Sequence, residues 1–172
     1  MALTASLKSR RKSRTTAEQA PTQRLLQFEI AQEQFALPIT QVLKIIPLTT
    51  IHGDPAGRGI GLAHYQQQEV LVINVENVLL PHNLPIKKTI YQFLLILQAT
   101  DMTHLELLGI PIQTPPQLIR INPEAITPLP THYRSLGNIH CVSTLMMDTQ
   151  TPNTQPLFII DVNQIFSSLN QP

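Results

Sequence analysis

Fifteen prolines punctuate the 172 residues, and they set the first limit on what this chain can build. A proline inside a helix removes a hydrogen bond and clashes with the preceding turn, at a cost of about 3 kcal/mol or more. No segment between the prolines keeps a helical period for three turns. What lies between them are short apolar runs such as "FLLIL" at 93–97, far below the ~20 residues that cross a bilayer. Many short strands divided by Pro and Gly point to small β barrels or a sandwich.

The strands are read from period-2 alternation. In "LLQFEIAQEQFALPI", Leu26, Phe28 and Ile30 fall two apart with Gln27 and Glu29 between them, the pattern of a strand with one buried face. "AQEQ" reads as a tight polar turn and "FALPI" as the return strand of a hairpin. "QVLKIIPL" follows, with Pro47 ending whatever Val42 to Ile46 form. "HGDPAGRGIG" at 52–61 holds four of the six glycines. No Gly-Lys-Ser/Thr follows it, and it precedes a strand instead of joining strand to helix, so it reads as a connecting loop and not a phosphate cradle. "IGLAHY" and "EVLVI" bracket "QQQ" as a second hairpin, and "PHNLPIKK" (81–88) is a Pro-rich connector. The series then starts again with "IYQFLLILQA", a turn at "TDMTH", "LELLGIPI", a Pro-rich stretch, "LGNIHCVSTLMM", a turn at "DTQTPNTQ", and "PLFIIDVNQIF".

That second series contains a repeat. "LVINVENVL" (71–79) lies over "FIIDVNQIF" (158–166) without a gap, and every apolar position meets an apolar one. Asn74 meets Asp161 at the break in each run. Asn and Asp are preferred helix N-caps, because the side-chain oxygen accepts from an otherwise unpaired N–H. Each is therefore expected to end a core strand and start a helical turn. Two similar, interlocked β subdomains, roughly 24–88 and 89–172, are the expected organisation, behind a polar, Ser/Thr-rich basic tail at 1–23 read as disordered.

In their order and spacing, "LQFEIAQEQFALPITQVLKI", "GIGLAHYQQQEVLVINV", "LLGIPI…LIRI" and "LFIIDVNQIF" resemble the CheW-like chemotaxis adaptors, over most of residues 24–168. The resemblance implies a mainly β fold of two five-stranded SH3-like barrels packed around a shared hydrophobic core, with short helical turns. It implies a non-catalytic cytoplasmic scaffold without a cofactor or small-molecule substrate. Its partners would be the regulatory domain of a CheA-type histidine kinase on one barrel and a methyl-accepting chemoreceptor tip in a groove between barrels. Carried onto this chain, the kinase-facing residues would be Val42, Lys44, Ile46, Gly61 and Gln66. The groove residues would be Leu108, Gly109 and Ile112.

Val42 and Gly61 match the family pattern. Lys44 stands where many members have Glu, Gln66 and Gln67 where Arg-Gly is usual, Leu71 in place of Pro, Asn74 in place of Asp, and Gln113 in place of a frequent Asp. These departures lead to the expectation of a divergent adaptor with its own kinase and receptor, as in the chemotaxis-like systems that steer surface motility driven by type IV pili. That last step is analogy.

Charge separates the scaffold reading from its main rival. Residues 1–24 carry six basic groups against one acidic, a net +5, and the remainder carries six against ten, a net −4. The rival is a nucleic-acid-binding small β barrel with a basic N-terminal arm, and "KSRRKSR" is the segment that would touch a polyanion or anionic lipid. A mildly acidic body with 5% aromatic residues and no basic-aromatic strand face argues against it, and a solvated tail accounts for the run. No apolar segment follows the basic residues, so no secretory signal is expected.

Catalytic constellations are missing from the pattern. One cysteine, Cys141, allows no internal disulfide, which fits a cytoplasmic location. The six histidines (His52, His64, His82, His104, His132, His140) show no i, i+4 zinc spacing. His140 and Cys141 are adjacent, and neighbours on a strand point to opposite faces. Neither a metal site nor an enzyme is expected.

Overall fold

The computed structural model describes residues 22–53, 59–76, 90–98, 107–131, 142–146 and 155–169. The tail at 1–21, the connector at 81–88, the turns at 101–104 and 148–154, Cys141 and four of the six histidines lie outside them. Among the described residues, eleven strands run in order: β1 (Gln23–Ile30), β2 (Glu33–Pro38), β3 (Val42–Pro47), β4 (Ile60–Tyr65), β5 (Gln68–Ile73), β6 (Phe93–Gln98), β7 (Leu107–Ile112), β8 (Gln117–Ile121), β9 (Ile126–Pro128), β10 (Val142–Met146) and β11 (Leu157–Ile160). The helix α1 (Val162–Leu169) follows β11, and short 3-10 turns at Ile39–Gln41 and Pro123–Ala125 join β2 to β3 and β8 to β9.

Both expected hairpins form, and each closes through two residues. Ile30 faces Glu33 across one and Tyr65 faces Gln68 across the other. The turn residues all have positive φ: Ala31 (52°) and Gln32 (73°), then Gln66 (49°) and Gln67 (65°). Two-residue hairpin turns need this hand to match strand twist and favour Asn-Gly. A side chain held there costs roughly 1–2 kcal/mol. Replacing exposed Gln32 by Gly is expected to stabilise the protein by about 1 kcal/mol, raising Tm by about 2–4 °C. A melt with Tm unchanged or lowered would contradict this reading of the turn.

The strands assemble into a five-stranded sheet, β3-β6-β7-β5-β4, and a six-stranded sheet, β8-β1-β2-β11-β10-β9. Strands on both sides of residue 88 share each sheet. β6 and β7 complete the sheet of β3–β5, while β1 and β2 pair with strands from the C-terminal part. Each half of the chain thus lends a hairpin to the other half's barrel.

The internal repeat extends into these hairpins. Val72 and Ile159, equivalent in the repeat, lie beside Gly109 and Ala36 in the two parallel pairings. "LGIPI" of β7 is therefore the counterpart of "FALPI" of β2. Following the registers outward, Lys44, Ile45 and Pro47 on β3 correspond to Gln117, Leu118 and Arg120 on β8. The sixth strand of the larger sheet has a local cause. Pro123 lacks an N–H, and Asn122 caps the 3-10 turn by accepting from the Glu124 N–H at 3.1 Å. One strand-long edge is thereby cut into β8 and β9. In the smaller sheet the chain beyond β3 reaches β4 without that turn, through the mutual backbone bonds of His52 and Leu62 at 2.8 and 2.7 Å.

A shared core joins the sheets. It takes Phe28, Ile30, Phe35, Leu37, Phe158 and Ile160 from one and Ile73, Leu95, Leu97, Leu108, Ile110 and Ile112 from the other. Phe35 stacks on Phe28 with ring centroids 6.3 Å apart and tilts against Phe158 at 5.8 Å. Separate interiors fill each barrel: Ala63, Val70, Val72, Leu94, Ile96 and Leu107 in one, Leu25, Ala36, Ile121, Leu157 and Ile159 in the other. A strand covered on both faces reads as a continuous apolar run, which is why "FLLIL" shows no alternation.

Asn74 and Asp161 are caps. The Asp161 carboxylate accepts from the N–H groups of Asn163 (3.0 Å) and Gln164 (3.3 Å) at the start of α1. Asn74 Oδ1 accepts from the Glu76 N–H at 3.0 Å, where the chain turns helical at 75–76. The two sites differ in one respect. The Tyr91 hydroxyl lies 2.7 Å from Glu76 Oε2 and 3.0 Å from Asn74 Oδ1, with one proton to donate between them. A carboxylate at position 74 would set two negative charges around that proton. This accounts for Asn instead of Asp here. Asn74→Asp is expected to destabilise by about 1 kcal/mol in low salt, with part of the loss recovered in high salt. Urea melts at the two salt levels check it, and a salt-independent loss would point to a steric cause.

Candidate partner surface

β3 is an edge strand, and its local irregularity decides which side chains it offers. Val42 lies opposite Leu97 and Lys44 opposite Ile96, so Leu43 is the extra residue of a β-bulge. The bulge changes faces. Val42 packs toward the shared core beside Leu97, whereas Ile46, opposite Leu94, packs into the barrel interior. The i, i+2, i+4 spacing of Val42, Lys44 and Ile46 would put all three on one face of a regular strand. The bulge divides them and leaves Leu43 (49% exposed), Lys44 and Ile45 (38%) as three consecutive surface residues.

Gly61 is buried on β4. A Cβ there would run into the Ile51 side chain and come within 3.2 Å of the His52 carbonyl. The position needs glycine because the segment after β3 crosses directly over it, so Gly61 shapes the surface without offering a side chain. Ile51, exposed, is what lies above. Gln66 is exposed at the tip of the β4–β5 hairpin. His52 and His64 face each other edge-on, ring centroids 6.5 Å apart. No group of three metal-ligating side chains occurs among the described residues, and no described helix is long and apolar enough to cross a membrane.

Leu108, Gly109 and Ile112 lie on β7, a strand with neighbours on both sides, and all three are buried. Leu108 and Ile112 belong to the shared core. A Cβ on Gly109 would meet Leu94, Val70 and Val72 at 3.0, 3.1 and 3.2 Å. None of the three offers surface to a partner in this conformation.

Sequence reasoning passed over Leu43, Ile45, Ile51 and Leu118, which are exposed large apolar residues. In "QVLKIIPL", Leu43 and Ile45 are indistinguishable from core residues, because a bulge leaves no signature in the sequence. For Leu118 a signal existed: in "QLIR" it shares its alternate position with Arg120, on the face opposite Ile119.

A family model for the CheW-like domain matches residues 24–170. Among solved structures, the scaffolding protein TtCheW from Thermoanaerobacter tengcongensis superimposes with a TM-score of 0.63 at 15% identity, covering 85% of this chain and 88% of that one. No curated protein sequence is similar to this chain at a significant level. The structural likeness carries the two-barrel fold, the family match spans nearly all the described residues, and on that footing the chain belongs to the CheW-like domain family.

Proposed function

We propose that this protein is a non-catalytic scaffold that couples methyl-accepting chemoreceptors to a CheA-type histidine kinase in the cytoplasm. Family membership supports the scaffold role. The observation that carries the kinase-facing part is the run Leu43, Lys44, Ile45, exposed together on the edge of the N-terminal barrel. Two aliphatic side chains flanking a cation suit a partner with an apolar patch and a carboxylate. The apolar pair supplies affinity, and Lys44 biases partner choice. Gly61 and Gln66 shape the neighbouring surface. Val42 and Ile46 hold β3 in place from opposite faces. Such a scaffold works by fixing two partners at one geometry and one effective concentration. Lys44 in place of the family's Glu favours a dedicated kinase, and pilus-driven surface motility is the output we assign to the pathway.

The test is binding of the full chain to the regulatory domain of the CheA-type kinase encoded beside it. Leu43→Ser with Ile45→Ser is expected to weaken binding at least tenfold, and Lys44→Glu to weaken it while improving binding to a kinase from a conventional chemotaxis system. No binding to any such kinase, or binding indifferent to all three substitutions, sinks the reading.

A further inference from the structure

Arg24 on β1 and Arg120 on β8 are direct cross-strand partners, and directly opposite residues point to the same face. Both are exposed. Like charges placed opposite one another destabilise a sheet, and among the described residues neither guanidinium has a carboxylate partner. The fold does not demand these charges. Their counterparts in the other barrel, Phe93 and Pro47, are uncharged and face each other at the same place. Two residue pairs along, Leu118 stands opposite Leu26 on the same face and is 52% exposed. β8 is the edge strand of its sheet. Among the described residues, an arginine pair without a carboxylate partner beside an exposed leucine on an edge strand is thus a standing electrostatic cost.

We propose that Arg24 and Arg120, with Leu118 beside them, recognise an acidic segment of a protein partner. A carboxylate placed between two guanidiniums accepts charge-assisted, bidentate hydrogen bonds and removes their mutual repulsion. An aliphatic side chain of the same segment covers Leu118. Charge complementarity selects this occupant: the pair is cationic on a body whose remaining charge is negative. The exposed aliphatic beside it suits a peptide better than a sugar-phosphate chain, which would look for aromatic stacking. The site is separate from the β3 surface and does not depend on which kinase or receptor binds there.

The experiment measures binding of a labelled peptide of alternating Glu and Leu, its Lys-Leu counterpart, and oligothymidylate to the full-length chain. The Glu-Leu peptide is expected to bind, with affinity falling as salt rises, and Arg24→Glu with Arg120→Glu to weaken it at least tenfold. Replacing Lys8, Arg10, Arg11, Lys12 and Arg14 by Gln is expected to leave binding within twofold. Arg24→Gln with Arg120→Gln is expected to melt no lower than the parent, since it relieves a repulsion; a lower melt would mean that the pair is structural. The proposal is overturned if the Glu-Leu peptide does not bind. It is equally overturned if charge reversal leaves binding unchanged, if the tail variant loses it, or if oligothymidylate or the Lys-Leu peptide binds as tightly through the same arginines.

Discussion

Cutting the chain at residue 88 is expected to give two fragments that each fail to fold alone and that regain a cooperative melt when mixed. The reason is the exchange of hairpins. The C-terminal barrel is completed by β1 and β2, which bring Leu25, Leu26, Phe28, Ile30, Phe35, Ala36 and Leu37 into buried positions. Burying an aliphatic or aromatic side chain of this size contributes about 1.5–3 kcal/mol. Removing the hairpin therefore forfeits roughly 10 kcal/mol or more of gross burial, against a net stability of about 5–15 kcal/mol for a whole domain. The N-terminal fragment fares no better. It loses β6 and β7, the middle of its sheet, and β3 is left with no strand to pair with. Circular dichroism and thermal melts of each fragment, then of the equimolar mixture, test this. A cooperative transition in either fragment alone would show that one half carries a self-sufficient core.

This exchange also marks where the sequence stopped being legible. The repeat of "LVINVENVL" and "FIIDVNQIF" was visible, and both caps stand where it puts them. Strand positions were readable because a two-residue turn and a Pro or Gly boundary are local events. Which hairpin pairs with which half was not readable, since pairing is a contact between residues far apart in the chain. The repeat and the family likeness suggested two interlocked subdomains, and the sheets show the particular exchange: β6 and β7 enter one, β1 and β2 the other. The candidate surface was incompletely legible for a related reason. Leu43 bulges because β3 must turn from one core to the other within a few residues, and nothing in "VLKII" records that demand. Leu108 and Ile112 looked like groove residues through family likeness, yet β7 is covered on both faces by the two cores that its alternate residues enter.

Gly109 gives the clearest measurement of that last point. Gly109→Val is expected to destabilise the protein by about 3 kcal/mol, while Gly109→Ala costs about 1 kcal/mol or less. The added Cβ meets Leu94 Cδ1, Val70 Cγ1 and Val72 Cγ2 at 3.0–3.2 Å, all ends of side chains that can give a few tenths of an ångström. The backbone there is not in a left-handed conformation, so Ala also narrows the unfolded ensemble and recovers about 0.4–1 kcal/mol. The counterpart position in the other barrel already carries an alanine, the fully buried Ala36, packed among Leu25, Leu157 and Ile159, which shows that this fold accommodates a Cβ at that point. Val adds two more carbons to a space already in contact at 3.0–3.2 Å, and overpacking of this size costs about 1–3 kcal/mol beyond the first contact. Val72→Ala opens room on the facing strand. Alone it leaves a cavity and destabilises. Combined with Gly109→Val it is expected to recover at least 1 kcal/mol relative to additivity, because the two side chains compete for one space. Urea melts of the two single variants and the double variant give the coupling directly. If Gly109 serves a partner instead of the core, Gly109→Val would leave stability within about 0.5 kcal/mol of the parent and lose binding alone, and the coupling to Val72 would be absent.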